Sequence, residues 1–451
     1  MWPASNFLFR LLIMYLLYSL ILTALFVLLL PYFIYQALRH GKYAGSFRER
    51  LGGLPKALGD DARPTVWVHT VSVGEFLAAR PLIAALRQEF AGWRILVSTT
   101  TATGQRLARA EQPGHFDAVC YFPFDWTFSV RRALDRVQPS LVVILETELW
   151  PNFLRECRRR RIVTVIANGR ISPRSFARYR RARGFIKRTL ADLSLLVMQS
   201  TADAERARAL GAGEVQVCGN LKYDVPVSDG KPQAGDVASP VAGEIDRQFA
   251  LSASRFLIVA GSTAPGEEQM LLAALREVRR EPGLEEARLL IAPRHPERFD
   301  EVAALIAQSG LSYARRSVAQ ADAERADIIL LDTIGELAAV YRFASVVFVG
   351  GSLVARGGHN IIEPAAFALP IIVGPHTENF RQIIADFVAV DAVVQIQATG
   401  EDQTSALTRE LIRLLQNGEA ARALGARARQ ILLSNRGATR CTVAAIRERI
   451  S

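Results

Sequence analysis

The chain has 451 residues, enough for two domains of ordinary size; half are hydrophobic and 22% are charged. That balance, without a long low-complexity tract, excludes a disordered or fibrous protein. A formal net charge of +11 points to an anionic partner such as nucleic acid, anionic lipid or a phosphorylated substrate.

From Leu11 to Tyr35 no residue is charged and nearly all are apolar, which is long enough to cross a hydrocarbon core of roughly 30 Å as a helix. The stretch ends in Pro31-Tyr32-Phe33-Ile34-Tyr35, aromatics at interface depth, where a cleavage site would show small residues. Arg10 precedes it; Arg39, Lys42, Arg48 and Arg50 follow, so the basic excess places the rest of the chain in the cytoplasm. Residues 1–40 therefore read as an uncleaved single-pass anchor, with a helix lying in the interface as the alternative. The cysteines, Cys120, Cys157, Cys218 and Cys441, show no metal or redox spacing, and reduced thiols are the simplest reading.

From Thr65 onward strand and helix patterns alternate. Apolar runs recur at Val66–Val68, Ile95–Val97, Val119–Phe122, Leu141–Leu145, Val163–Ala167, Leu195–Met198 and Val215–Cys218. After a stretch rich in Pro, Gly, Ser and Asp they resume at Phe256–Ala260, Leu289–Ala292, Ile328–Leu331, Val346–Val349 and Ile371–Val373. Buried runs separated by helices imply parallel sheets covered on both faces. The expectation is an α/β domain over 41–225, a linker over 226–250, and a second α/β domain over 251–451 whose end, Glu419–Ile450, is helical. Ligands of such sheets collect at the carboxyl ends of the strands, which makes a cleft between the two the natural site.

Those strand ends carry polar residues. Glu75 closes His69–Glu75 and opens a helix, where the dipole favours an ionised carboxylate, a candidate general base. Glu146 and Glu148 follow Leu141–Leu145, and Lys222 follows the last run of the first half. In the second half Gly261–Glu268, Pro293–Arg298 and Asp332–Leu337 each follow a strand, and Arg294 is placed to reach a phosphate. Val346–Pro375 reads strand, glycine loop, helix, strand. Gly357 and Gly358 break the chain and Asn360 caps a helix expected over Ile361–Leu369; free N–H groups there suit a phosphate, and Glu363 suits sugar hydroxyls. Basic residues are dense from Arg155 to Arg188, which suits anionic headgroups beside a membrane anchor. No recognised module supports nucleic acid. No cluster has metal-ligand spacing, so neither a protein-bound metal nor a cofactor is expected.

Six motifs in order and spacing resemble the 3-deoxy-D-manno-octulosonic acid (Kdo) transferases of lipopolysaccharide assembly: SVGE at Ser72–Glu75, ETELWPN at Glu146–Asn152, LKYD at Leu221–Asp224, PRHPERF at Pro293–Phe299, GEL at Gly335–Leu337, and GGSLVARGGHN at Gly350–Asn360 with Glu363-Pro364. The resemblance covers nearly the whole chain, anchor included. It implies a GT-B fold, two Rossmann-like domains facing a cleft, the first binding the acceptor and the second the nucleotide sugar. It implies inverting transfer of Kdo from CMP-Kdo to the glucosamine disaccharide of a lipid A precursor, lipid IVA, at the cytoplasmic face of the inner membrane, among anionic lipids. By family pattern Glu75 is the catalytic base, and Glu146 and Lys222 stabilise the transition state. Pro293, Arg294, Ile334, Gly335, Glu336, Asn360, Ile361, Ile362 and Glu363 match the CMP site. Ile361-Ile362 stands where Pro-Leu is frequent in the family, at positions that act through backbone. Two rivals remain at the level of sequence: another membrane-associated GT-B transferase using a UDP-sugar, and a tethered binding protein without chemistry.

Overall fold

The computed structural model describes residues 3–40, 46–55, 58, 62–224, 240–318, 320, 322–397 and 402–450. Two units divide the chain: Met1–Pro226 with Asn435–Ser451, and Val227–Ser434.

The first unit is built on seven parallel strands: β1 (Thr65–Thr70), β2 (Arg94–Thr99), β3 (Ala118–Tyr121), β4 (Leu141–Leu145), β5 (Val163–Gly169), β6 (Leu195–Met198) and β7 (Val215–Val217), in the order β3-β2-β1-β4-β5-β6-β7. Every residue of β1, β2 and β4 is buried. Their side chains alternate between two cores: Trp67, Leu96 and Val142 join the one, Val66, Val68, Ile95 and Val97 the other. That is why these strands read as unbroken apolar runs rather than as alternating patterns. From β1 the chain runs outward to β3 and then crosses to β4 on the other side, so β1 and β4 flank the point where the strand order reverses.

The second unit repeats the plan with β8 (Leu257–Thr263), β9 (Arg288–Pro293), β10 (Tyr313–Arg315), β11 (Ile328–Leu330), β12 (Val346–Val349), β13 (Ile371–Val373) and β14 (Val394–Gln395), ordered β10-β11-β9-β8-β12-β13-β14 and all parallel. Its reversal lies between β8 and β12. The loops leaving those two strands touch: a Cβ on Gly350 would sit 2.5 Å from the Ser262 carbonyl oxygen, so only glycine fits there.

Three features depart from the sequence reading. Of the expected linker, 226–239 lie outside the described residues, and Pro240–Phe249 forms a helix. The last helix, Ala438–Ile450, which sequence order attaches to the second half, packs on Val73–Glu89 of the first unit. Asp224 fixes its start by accepting the Gly437 N–H at 2.7 Å and the Thr439 N–H. Finally, Cys218 and Cys441 form a disulfide, so the reduced-thiol reading holds only for the buried Cys120 and Cys157. Sequence spacing could not show this pairing, because 223 residues separate two sulfurs that the returning helix brings together.

The N-terminal helix Pro3–His40 contains Ile13–Pro31, with a mean hydropathy of 2.6, long and apolar enough to cross a membrane and compatible with an anchor. One stripe of it seats on the first unit. The Tyr15 and Tyr18 hydroxyls donate to Asp192 and Asp125 at 2.8 and 2.9 Å, the Trp126 indole N–H donates to Thr23, and Phe26 packs edge-on against Trp126. Leu16, Leu17, Leu20, Ile21, Leu25 and Leu28 are left exposed.

Candidate active site

Glu75 stands at the carboxyl end of β1, in the first turn of the helix Val73–Glu89. Ser72 caps that helix, its hydroxyl oxygen accepting the Glu75 N–H, and then donates back to Glu75 Oε1 at 3.0 Å. Oε2 accepts the Val71 N–H at 2.8 Å. The side chain is partly buried. Burial pushes the carboxyl up to about 7 from the ordinary 4.5, and the charges of Glu146 and Glu148 add to the rise; the Val71 and Ser72 hydrogen bonds oppose it. Glu146, directly after β4, has φ of 55°, left-handed backbone that a glutamate adopts at a cost, a strain that collects at functional sites. Burial, then Glu146, likewise raises Glu148.

Lys222 lies in the 3₁₀ turn Leu221–Asp224, which packs on the same helix that Glu75 opens. Asn168, at the end of β5, positions that turn: its Oδ1 accepts the Leu221 N–H at 3.0 Å. So the carboxyl ends of β1, β4 and β5 converge on one rim of the first sheet, and a carboxylate titrating near neutrality sits where the strand order reverses.

In the second unit Pro293 ends β9, buried, while Arg294 is exposed. The Arg294 charge acts on His359 and on Glu363. Burial, then Arg294, lowers His359 to about 4, so its imidazole is neutral at pH 7. Burial raises Glu363, against the hydrogen bond from Asn360 Nδ2 at 3.2 Å and the Arg294 charge. Asn360 Oδ1 also accepts the Ile362 N–H at 3.0 Å. Ile361 and Ile362 are buried, while Asn360 and Glu363 keep partial exposure. In the turn before Leu337, Glu336 is tied to Arg316 and Thr333, and Ile334 is 80% exposed. That segment reaches the same rim, because Leu337 and the Tyr341 hydroxyl crowd Gly261 at the end of β8.

Residues 45–225 match the family model described as 3-deoxy-D-manno-octulosonic-acid transferase (kdotransferase). The chain is 35% identical to the 3-deoxy-D-manno-octulosonic acid transferase of Haemophilus influenzae over 402 residues, covering 87% of this chain and 89% of that protein. It is 34% identical to the transferase of the same description from Bordetella pertussis over 395 residues, 85% and 87% of the two chains. The chain belongs to the Kdo transferase family. It is a glycosyltransferase of lipopolysaccharide biosynthesis. A solved glycosyltransferase from Rickettsia africae superposes with a TM-score of 0.54 at 11% identity, covering 86% of this chain and 99% of that one, which shows the shared GT-B fold.

Two sequence expectations about the transferase's glycine stretch need correction. The helix after Asn360 is only Ile362–Ala366, five residues, because Ala368 turns left-handed with φ of 56°. In the loop before it the Gly358 N–H, expected to be free, donates to the Gly351 carbonyl at 2.8 Å, and earlier in the loop the N–H groups of Gly351, Ser352 and Leu353 donate to the buried Glu267. Sequence reasoning also passed over residues that hold the site. The capping signature of Ser72, three residues before Glu75, was present in the sequence. Asn168-Gly169 at a strand end is a turn signal, and Asn168 is left-handed with φ of 57°. His359 had no local signal, for its burial comes from tertiary packing alone.

Proposed function

We propose that the transferase takes Kdo from CMP-Kdo and joins it, with inversion, to the glucosamine disaccharide of a lipid A precursor, lipid IVA. Glu75 carries this reading: a partly buried carboxylate that titrates near 7, at the carboxyl end of the strand where the order reverses. A base is most effective when it ionises near the working pH. Ionised Glu75 removes the proton from the acceptor hydroxyl as that oxygen attacks the anomeric carbon. The bond from anomeric carbon to phosphate oxygen breaks, and CMP departs with the electron pair. One displacement through an oxocarbenium-like transition state needs a base and a held leaving group, without a protein nucleophile. Arg294 meets the phosphate, Asn360 and Glu363 meet sugar or nucleotide hydroxyls, and the exposed Ile334 packs on the ligand. Glu146 and Lys222 take charge that develops at the transition state.

Seating supports the membrane part of the reading. Phe185, on the basic helix Arg183–Leu190, packs against Tyr15 and Tyr18 of the apolar helix at ring distances of 5.8 and 5.6 Å. Arg174, Arg178, Arg180, Arg181 and Arg183 are exposed beside it. Such a surface holds to anionic headgroups of the cytoplasmic leaflet, with the active site kept near a lipid-borne acceptor.

The experiment is to incubate the purified full chain with CMP-Kdo and lipid IVA in detergent and weigh the products by mass spectrometry. A product heavier by one or more Kdo residues is expected, with inhibition by CMP. Inhibition by UDP and not CMP, or no Kdo adduct from a folded protein, overturns the donor assignment.

A further inference from the structure

The helix Glu267–Val278 of the second unit opens with two carboxylates, and both are fully buried. Glu267 Oε1 accepts the N–H groups of Ser352 and Leu353, each at 2.9 Å. Its Oε2 accepts those of Gly351 at 2.7 Å and Ala264 at 2.9 Å. Four backbone donors from two strand-end loops thus converge on one side chain. Successive N–H groups of this kind form an anion nest, the geometry that holds phosphate in other proteins. Here the anion is built in. Beside it Glu268 accepts the Thr263 hydroxyl at 2.8 Å and binds Arg298 through both oxygens, at 2.7 and 3.2 Å. The loops after β8, β9 and β12 are therefore tied to one helical turn.

The nest is continuous with the residues that face the ligand in the proposed reaction. Gly351 accepts the Gly358 N–H at 2.8 Å, and a Cβ on Gly351 would lie 2.9 Å from the His359 ring. His359 and Asn360 follow directly, and Arg294 is anchored on the other side through its N–H to the Thr263 carbonyl at 3.0 Å. We infer that Glu267 is a positioning residue for donor binding, an internal carboxylate that occupies the amide nest of Gly351–Leu353 and so sets, through His359 packed on Gly351, where Asn360 and Arg294 meet the nucleotide sugar. The inference rests on the donor assignment above. Glu267 cannot itself act as the base, since its lone pairs are taken by backbone donors and it has no access to substrate.

Glu267→Gln replaces two acceptor sites by donors that face N–H groups. In the full-length variant the KM for CMP-Kdo and the calorimetric Kd for CMP are expected to rise about tenfold, within the scale of coupling between groups in one hydrogen-bonded network. KM for the acceptor stays unchanged and kcat falls far less, a split that general loss of stability does not produce. In the ligand-free variant, hydrogen exchange at 350–354 is expected to accelerate while that of β8 and β9 is retained. Unchanged exchange, or faster exchange with unaltered CMP affinity and donor KM, overturns the inference. If the wild type neither binds CMP nor uses CMP-Kdo, the donor assignment fails, and with it the donor part of the inference; exchange then still decides whether Glu267 sets the loop. Should the Gln variant fail to fold, Glu267→Asp keeps the charge one methylene short and carries the same readouts, with smaller changes expected.

Discussion

In the first unit a carboxylate at a strand end, Glu75, keeps partial exposure, accepts from one N–H and one hydroxyl, and feels the charges of Glu146 and Glu148. In the second unit the equivalent place, at the end of β8, holds Glu267, which is wholly buried, accepts from four N–H groups, and is likewise raised by burial. Both carboxyls are thus shifted in the same direction from their ordinary range. Only one can meet a substrate proton. A raised carboxyl is therefore no mark of a base by itself; accessibility and unsatisfied lone pairs decide between a reacting group and a structural anion.

The largest expected effect tests Glu75. Glu75→Gln should lower kcat by about 10²–10⁴-fold, the usual worth of a positioned base, while CMP affinity stays as it was. A variant within tenfold of the wild-type rate would remove the base. Stability should move the other way. The folded carboxyl titrates at about 7, above the ordinary 4.5, so the folded state holds its proton more tightly. The stability linked to that proton is complete below about 4.5 and is lost as pH rises through about 7. At pH 8 the Gln variant should therefore be more stable than wild type by roughly 1–3 kcal/mol, allowing for partial exposure, and near pH 4 the gain should vanish in denaturant titrations. No such trade is expected at Glu267, where the neutral amide strands backbone donors.

Next in size is Arg294→Ala. The side chain is exposed, so the fold should tolerate its loss. CMP binding should weaken by about 1.5–3 kcal/mol, the scale of a charge-assisted hydrogen bond, as read by calorimetry. Unchanged affinity would take Arg294 out of the donor site.

How much of this could be read from the sequence follows from where each residue lies in its sheet. Central strands, buried on both faces, announced themselves as apolar runs, and most of the strand-end loops announced themselves by the polar and small residues that close those runs. The two strands not anticipated, Tyr313–Arg315 and Val394–Gln395, form the two edges of the second sheet and are three and two residues long, too short to show an apolar run, whereas the edges of the first sheet, Ala118–Tyr121 and Val215–Val217, did show one. The disulfide and the return of the last helix were invisible for a related reason: they depend on residues more than two hundred positions apart. The acidic pair Glu267-Glu268 was legible as a helix start, but its partners at Gly351–Leu353 and Arg298 were not, because nothing local tells whether a first-turn carboxylate faces water or a neighbouring loop. The glycine stretch misled for the same reason. Its glycines do signal a backbone others cannot adopt, with Gly357 and Gly358 both at positive φ, yet the Gly358 N–H is already claimed by the Gly351 carbonyl.

The smallest expected effects are opposite movements of one pH profile. If Glu75 is the base, kcat/KM should rise with pH along a limb centred at about 7. The Ser72 hydroxyl donates to the ionised form, so Ser72→Ala removes a stabiliser of the charge and should carry the limb to higher pH. The same change removes a helix cap, at a cost of about 1 kcal/mol in stability. Glu148→Gln removes a like charge and should carry the limb to lower pH, by a small amount because Glu148 ranks last among the causes of the rise. Stability cannot imitate this pattern, for it has no reason to move an apparent pKa in two directions at two sites flanking one carboxylate. A limb that moves the same way in both variants, or in neither, would place the titrating group elsewhere and leave Glu75 no more chemical than its buried counterpart in the second unit.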